Sequence, residues 1–178
     1  MSNTFFTSDL HFFHNNVIRF CNRPYSSVEQ MNDALISNWK SVVKPDDHVW
    51  MLGDISFGNY DQTTGVLNQL PGIKHLIVGN HDRKGRPDKL FNRDWERHFV
   101  DRHDYYRLKM KEGKFVLCHF PFASWERNYY NFHGHVHSLA GYKNKWRQYD
   151  VGVDANNYTP ILLRDAMEKA DAGTPPSL

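Results

Sequence analysis

HLIVGNHD, residues 75–82, joins a short apolar run to a cluster of side chains that can bind metal. Four other segments also place such residues directly after a strand-like run. They are Asp9-Leu10-His11, Gly53-Asp54, Cys118-His119 and Gly134-His135-Val136-His137. Ligands of open α/β sheets bind beyond the carboxyl ends of the strands. We therefore expect all five segments to contribute to one site.

Seven runs along the chain have the length and composition of strands, because they are short and rich in Val, Ile, Phe, Tyr or Trp. They are Thr4–Ser8, His48–Leu52, His75–Val78, Tyr105–Met110, Lys114–Cys118, Tyr129–Phe132 and Tyr149–Val153. Between the fourth and fifth runs, Lys111-Glu112-Gly113 predicts a tight hairpin turn.

The clearest predicted helix begins after Ser27, which forms a capping-box pattern with Gln30. Its apolar residues recur at helical spacing at Val28, Met31, Leu35, Trp39 and Val42. Further helices are predicted over Asp61–Leu70, near Asp88–Phe99, and over Leu162–Ala170 after Thr159-Pro160. The early alternation of strands and helices predicts parallel pairing, whereas the closely spaced later strands predict antiparallel pairing. The expected fold is α/β (α+β in some schemes), with two sheets and outer helices.

Length and composition predict one domain. The 178 residues, 40% of them hydrophobic, fit a single domain over residues 1–170, followed by a flexible tail over residues 171–178. The net charge of +2 is too small to indicate nucleic-acid binding, although it permits an anionic substrate.

Cysteine usage and hydropathy predict the compartment. Two cysteines, Cys21 and Cys118, do not suggest a disulfide framework, which favours a reducing environment. The start does not resemble a signal peptide, and no run approaches the ~20 apolar residues that span a bilayer. We expect a cytoplasmic protein without a membrane partner.

The candidate ligands combine oxygen and nitrogen donors without thiolate. They are Asp9, His11, Asp54, Asn80, His119, His135 and His137. This set suits Mn, Fe, Zn, Ni or Co better than a cysteine-type zinc site or an all-oxygen calcium site. Seven ligands are too many for one catalytic ion but fit two ions that share a carboxylate. Two ions about 3.5–4 Å apart can activate a bridging hydroxide to attack a phosphate ester.

The series Asp-x-His, Gly-Asp, Gly-Asn-His-Asp, a lone His and Gly-His-x-His resembles the calcineurin-like metallophosphoesterase superfamily between Asp9 and His137. Asp9–Pro24 is also similar to small bacterial and phage members that lack a cap domain. The resemblance implies a four-layer α/β/β/α sandwich of two mixed β-sheets. It also implies two divalent ions. Mn is the expected metal, and Fe, Zn, Ni, Co or Mg are alternatives.

The same resemblance implies the role of each motif residue. The first ion would be held by Asp9, His11, Asp54 and His137, and the second by Asp54, Asn80, His119 and His135. Asp54 would bridge the two ions. His81 would not be a ligand but would donate to a phosphate oxygen or protonate the leaving group. Asp82 is predicted to pair with His81 and raise its pKa.

Several other residues could contact the substrate, and each has a structural alternative. His14 could cap a turn, and Arg19 and Arg23 could form surface salt bridges instead of gripping a phosphate. Trp125 and Arg127 lie in the loop 121–128. This loop and the basic aromatic loop 138–147 could stack a base and hold phosphates, or could simply be solvated. For Asp154, a turn or cap role is favoured over catalysis.

These patterns favour a dinuclear metal-dependent phosphoesterase that hydrolyses a small phosphomonoester or phosphodiester, for example a nucleotide. One alternative is a nucleotide phosphodiesterase or nuclease that uses the same metal centre. Another is a non-catalytic metal-binding scaffold. Such scaffolds tend to lose ligands, and none of the expected ligands is missing here.

Overall fold

The computed structural model describes residues 2–82, 94–138 and 142–173. Its strands are β1 (Thr4–Thr7), β2 (His48–Met51), β3 (Ile73–Ile77), β4 (Asp101–His103), β5 (Tyr105–Lys109), β6 (Lys114–Cys118), β7 (Tyr130–His133), β8 (Gln148–Asp150) and β9 (Ile161–Leu162). Its α-helices are α1 (Asn15–Phe20), α2 (Val28–Val42), α3 (Tyr60–Leu67) and α4 (Leu163–Asp171). Short 3₁₀ turns lie at Trp95–Arg97 and Val153–Ala155.

The first sheet has the strand order β4-β3-β2-β1-β9. Strands β1 to β4 pair in parallel, as the early strand–helix alternation predicted, and β9 pairs antiparallel to β1. The carboxyl ends of the four parallel strands consequently meet at one edge. Three of the five ligand-bearing segments follow β1, β2 and β3 at this edge.

The second sheet has the order β5-β6-β7-β8, and here the predicted antiparallel pairing is only partly correct. Strands β5 and β6 form the expected antiparallel hairpin, closed by a bond from the Met110 amide to the Gly113 carbonyl. Strands β6, β7 and β8 are parallel instead. The connections 119–129 and 134–147 are long enough to return the chain to the starting edge, as parallel pairing requires. Because of this, the ligand segments after β6 and β7 lie at the same edge of the second sheet.

Two apolar clusters hold these layers together. On one face of the first sheet, α2 buries Met31, Leu35 and Trp39 against strand residues that include Val49 and Leu76. The predicted N-cap is confirmed, because the Ser27 side chain accepts a bond from the Gln30 amide.

Between the two sheets, aromatic residues from both sides meet. The Phe6 ring lies edge-on to that of Phe132, with ring centroids 5.0 Å apart. Helix α4 adds Leu163, Ala166 and Ala170 to the same cluster. The protein is thus an α/β fold of two mixed sheets flanked by helices, which confirms the predicted fold class.

Several predicted boundaries differ from those observed. The second helix begins at Tyr60, after a capping box formed by Asn59 and Gln62, and ends at Leu67. Thr159-Pro160 leads into β9, because residues Ile161 and Leu162 extend the first sheet before α4 begins. The last predicted strand ends at Asp150.

Two predictions fall partly outside the described residues. The helix predicted near Asp88–Phe99 has its first part, residues 88–93, there, and the described remainder contains only the 3₁₀ turn. In the predicted tail, residues 174–178 also lie outside the description, while α4 extends to Asp171. Across the described ranges, no helix combines the length and apolarity needed to cross a membrane.

Candidate metal centre

Two buried carboxylates lie at the centre of a histidine cluster at the carboxyl edge of the sheets. Asp54 Oδ2 is 3.7 Å from His11 Nε2 and 3.5 Å from His119 Nε2. Asp9 Oδ1 is 3.8 Å from His11 Nε2 and 3.7 Å from His137 Nε2. Two ligand atoms that each lie roughly 2.1 Å from one ion cannot be more than about 4.2 Å apart, so these spacings suit shared ions.

The other two predicted ligands lie beside this group. Asn80 Oδ1 is 3.0 Å from His119 Nε2. The His135 ring centroid is 5.2 Å from that of His119, and the His135 amide donates to Asp9 Oδ2 at 2.8 Å. All seven predicted ligand residues are therefore brought together by the fold.

The ligand-bearing loops adopt unusual backbone geometry. Five of the seven ligand residues have φ in the left-handed region, which disfavours non-glycine residues. They are Asp9 (56°), His11 (51°), Asp54 (54°), His135 (71°) and His137 (48°). Such strained residues concentrate at functional sites, where the surrounding structure must hold them in place.

Close backbone approach explains the glycines that precede the ligands. A Cβ on Gly134 would collide with Ser8 Oγ and Asp9 Oδ2, and a Cβ on Gly79 would collide with the Asp54 carboxylate. Glycine therefore allows the loops from both sheets to converge around the two carboxylates.

Three of the predicted ligand imidazoles make a contact through Nδ1. His119 Nδ1 lies 2.7 Å from the Leu52 carbonyl, which makes Nδ1 the donor. His137 Nδ1 lies 2.8 Å from Asp154 Oδ2, and His11 Nδ1 lies 3.1 Å from His14 Nδ1. These contacts turn Nε2 of all three rings toward the carboxylates, as outer partners of metal-binding histidines do.

Arg23 lies beneath the site, where it cannot reach a substrate at the surface. Its side chain is buried (4% exposed) and binds both Asp154 carboxylate oxygens at 2.8 Å. It also donates to the backbone carbonyls of Asp9 and Leu10. Arg23 and Asp154 thus connect the first ligand loop to His137, a role that goes beyond the turn or cap predicted for Asp154.

The pKa values in the cluster favour ionised carboxylates beside protonated imidazoles. Burial opposes ionisation of Asp9 and Asp54, but the close imidazoles of His11 and His137 beside Asp9, and of His119 beside Asp54, hold both pKa values below the usual range. Burial likewise opposes protonation of His119 and His137. Bonds to Asp54 and Asp154 nevertheless raise the pKa of His119 to about 9 and that of His137 to about 10.

The unsatisfied atoms of the site fit a bound cation. Within the described chain, Asp9 Oδ1 and His11 Nε2 are buried side-chain atoms without a hydrogen-bond partner. Leaving such atoms unpaired costs about 1–3 kcal/mol each, which a metal–ligand bond would offset. The donor set and the two unsatisfied atoms therefore fit the predicted metal site.

His81 and Asp82 follow the same strand but lie in different environments. The His81 side chain is 36% exposed, and its Nε2 is 3.9 Å from Asp54 Oδ2. Asp82 is fully buried, and its carboxylate accepts bonds from the backbone amides of Asp54, Ile55 and Gly79. Burial raises the pKa of Asp82. Asp82 therefore anchors the Asp54 loop, a structural role that the sequence prediction did not include.

The remaining candidates for substrate contact are spread around the site. His14 stacks on Phe57 at 3.9 Å, and burial together with nearby imidazoles lowers its pKa to about 4. Arg19 is exposed, with its guanidinium 5.4 Å above the Phe20 ring. In the loop 121–128, the Trp125 indole donates to the Tyr129 carbonyl and Arg127 is exposed. Residues 139–141 of the second loop lie outside the described residues.

Two aromatic residues beside the metal centre were not identified from the sequence. Phe57 packs against His11, His14 and His81, at ring distances of 5.2, 3.9 and 4.8 Å. Phe120 contacts His119 and His135, at 5.1 and 4.6 Å. Phe120 directly follows a predicted ligand, and this position was the available signal. For Phe57 the sequence offers no comparable signal.

Comparison with known proteins gives relatives that match almost the whole chain. An uncharacterized protein of Methanocaldococcus jannaschii is 36% identical over 172 residues, covering 92% of this chain and 88% of that protein. The gene 66 protein of Mycobacterium phage L5 is 33% identical over 187 residues, covering 87% of this chain and 88% of the phage protein. Among solved structures, a protein of unknown function from Aquifex aeolicus, AQ665, superposes with a TM-score of 0.74 at 25% identity. That match covers 95% of this chain and 99% of the other.

A family profile also matches almost the whole chain and gives the family assignment. Residues 3–176 match the sequence profile described as calcineurin-like phosphoesterase. The buried Asp and His groups found above lie within this range and could bind metal ions. The chain belongs to the calcineurin-like phosphoesterase family.

Proposed function

We propose that this protein is a dinuclear metal-dependent phosphoesterase that hydrolyses a small phosphomonoester or phosphodiester. The observation that carries the proposal is that the Nε2 atoms of His11, His119 and His137 each lie 3.5–3.8 Å from a buried carboxylate oxygen, Asp9 Oδ1 or Asp54 Oδ2. Two of these buried atoms lack a hydrogen-bond partner among the described residues.

Asp9, His11 and His137 would hold the first ion, and Asn80, His119 and His135 the second. Asp54 would serve both, because its Oδ2 lies close to imidazoles of each set. Bound divalent ions would supply Lewis acidity toward phosphoryl oxygens and a nucleophile derived from water. We expect Mn first, with Fe, Zn, Ni, Co or Mg as alternatives, since the donors are oxygen and imidazole nitrogen.

His81 would transfer or share a proton with the substrate. Its side chain is partly exposed, while its backbone amide is fixed by a 2.8 Å bond to Asp54 Oδ1. The Phe57 ring, 4.8 Å away, packs against the imidazole. An imidazole held in this way can donate to a phosphoryl oxygen or to the leaving group.

Substitution of the shared carboxylate, with measurement of metal content and activity, tests the proposal. Asp54→Asn should lose bound metal and activity together, because an amide is a weaker ligand than the carboxylate that serves both ions. The metal content would be measured by elemental analysis, and hydrolysis with p-nitrophenyl phosphate and bis(p-nitrophenyl) phosphate. Asp33→Asn, on the exposed side of α2, is the matched control. Wild-type protein that binds two ions but hydrolyses neither ester with any of the six metals would overturn the proposal.

The role of His81 is tested separately. His81→Ala should retain both ions but lower kcat by about 10²–10⁴-fold, the usual contribution of a positioned acid or base. His103→Ala, which removes a half-buried histidine at the end of β4, serves as the control. Full activity of His81→Ala on every ester would exclude this role.

A further inference from the structure

Two exposed phenyl rings lie on different sides of the metal centre. Phe20 is 61% exposed and its ring is 6.4 Å from that of His14, which contacts His11 of the first ligand set. Phe120 is 44% exposed and contacts His119 and His135 of the second set. A single exposed apolar residue is common on protein surfaces. Two exposed phenyl rings beside one polar site more often indicate a ligand-binding surface.

The other exposed aromatic residues of the described chain have polar partners. The Tyr105 hydroxyl bonds to Glu126, and the Tyr142 hydroxyl bonds to Gln148. Phe20 and Phe120 have no polar atom that could account for their exposure. Phe120 lies next to two predicted ligand histidines, whereas Phe20 lies next to His14, which contacts His11.

We infer that the substrate carries an unpaired nucleobase next to the scissile phosphate, and that Phe120 is the platform on which this base stacks. The inference rests on the proposed function, because the phosphate must be bound by the metal centre. It narrows the proposed substrate from phosphate esters in general to nucleotides.

The geometry around Phe120 suits a stacking platform. The His135 and His119 ring planes are inclined to that of Phe120 by 62° and 77°, so neither imidazole stacks face to face on the phenyl ring. The two contacts hold the ring beside the site, while 44% of Phe120 remains exposed. Base–aromatic stacking tolerates any base, since every base has a π-face.

Phe120 suits this role better than the aromatic residue predicted from the sequence. The Trp125 indole is bonded to Tyr129 within its own loop, and the adjacent Glu126 binds Arg107 at 3.0 Å and Tyr105. These contacts direct this part of the loop toward β5. On the side of Phe20, the exposed Arg19 guanidinium adds the positive charge that an anionic substrate needs.

The test compares two esters with the same leaving group, thymidine 5′-(p-nitrophenyl phosphate) and methyl p-nitrophenyl phosphate. In the wild type, KM should be lower for the thymidine ester. Phe120→Leu keeps an apolar side chain but removes the plane, so it should raise the KM ratio of the thymidine ester to the methyl ester by about tenfold, as loss of base stacking predicts. Phe120→Trp should preserve the low ratio.

Tyr105→Leu is the matched control, because it changes an exposed aromatic residue on β5 and should leave the ratio unchanged. Metal content of each variant would be measured in parallel. An unchanged ratio in Phe120→Leu, or a loss of metal in both Phe120 variants, would overturn the inference while leaving the proposed function intact.

A binding experiment keeps the inference testable if neither ester is hydrolysed. Calorimetric titration of the Mn-loaded protein with thymidine 5′-monophosphate and with inorganic phosphate should show tighter binding of the nucleotide, and Phe120→Leu should abolish the difference. Equal affinities in the wild type would contradict the inference. Competition between thymidine monophosphate and a single-stranded thymidine oligonucleotide would then distinguish a free nucleotide from a nucleic-acid strand.

Discussion

At the scale of single residues, Asp154 is predicted to orient His137 in the candidate metal centre. Its Oδ2 accepts from His137 Nδ1 at 2.8 Å, and Arg23 holds the same carboxylate from below. Asp154→Asn should weaken metal binding by about 10–100-fold, the usual cost of losing an outer partner of a ligand histidine. Calorimetric titration with Mn would measure the change.

Asp165→Asn is the matched control for Asp154→Asn, because Asp165 is a solvent-accessible carboxylate bonded to Arg164. Unfolding would be followed in both variants, since Arg23 loses part of its charge pairing when Asp154 is replaced. Unchanged metal affinity in folded Asp154→Asn would show that the Nδ1 contact does not orient His137.

At the scale of elements, Gly→Ala substitutions at two positions should change stability in opposite directions. Gly65 lies inside α3, and a Cβ there would meet nothing within 4 Å. Gly65→Ala should therefore raise the free energy of unfolding by about 0.5–1 kcal/mol, the difference in helix propensity. Denaturant titration would measure it, and a decrease in stability would contradict the prediction.

Gly134, directly after β7, should respond in the opposite direction. A Cβ there would collide with Ser8 and Asp9, so Gly134→Ala must displace the first ligand loop or the loop that carries His135 and His137. We expect a loss of roughly 2 kcal/mol or more in stability, together with reduced metal content. Normal metal content in Gly134→Ala would show that the loops can separate without cost to the site.

At the scale of the whole molecule, Asp47 links the N-terminal segment to the turn between α2 and β2. Its carboxylate accepts from the Asn3 amide at 2.7 Å and the Lys44 amide at 2.8 Å. Burial opposes its ionisation, but these bonds hold the pKa of Asp47 below the usual range. A carboxyl with a lowered folded-state pKa stabilises the protein above its unfolded pKa, about 3.9. This contribution is lost as the pH falls through the folded-state pKa.

Asp47→Ala should therefore reduce the free energy of unfolding by about 2 kcal/mol near neutral pH, because the Asn3 and Lys44 amides lose a charged acceptor. The difference from the wild type should shrink below about pH 4 as Asp47 becomes protonated. Urea titrations between pH 3 and pH 7 would measure this, with the exposed neighbour substitution Asp46→Ala as the control. A difference that stays constant over this range would contradict the linkage.

The sequence alone predicted which residues would meet at one site, because each of these segments follows an apolar run that forms a strand. The local pattern was also sufficient to predict α2, since Ser27 caps the helix and Trp39 belongs to its regular apolar face. These features depend on neighbours within a few positions along the chain.

Only the tertiary structure decided the features that depend on distant contacts. The parallel pairing of β6, β7 and β8 depends on long return connections whose paths no local pattern specifies. Arg23 binds Asp154 across 131 positions, and Asp82 binds Asp54 across 28, so neither role could be read from spacing. The contact of Phe120 with His135 likewise joins two separate loops. Burial and long-range hydrogen bonding therefore decided which residues support the candidate metal centre and which remain exposed beside it.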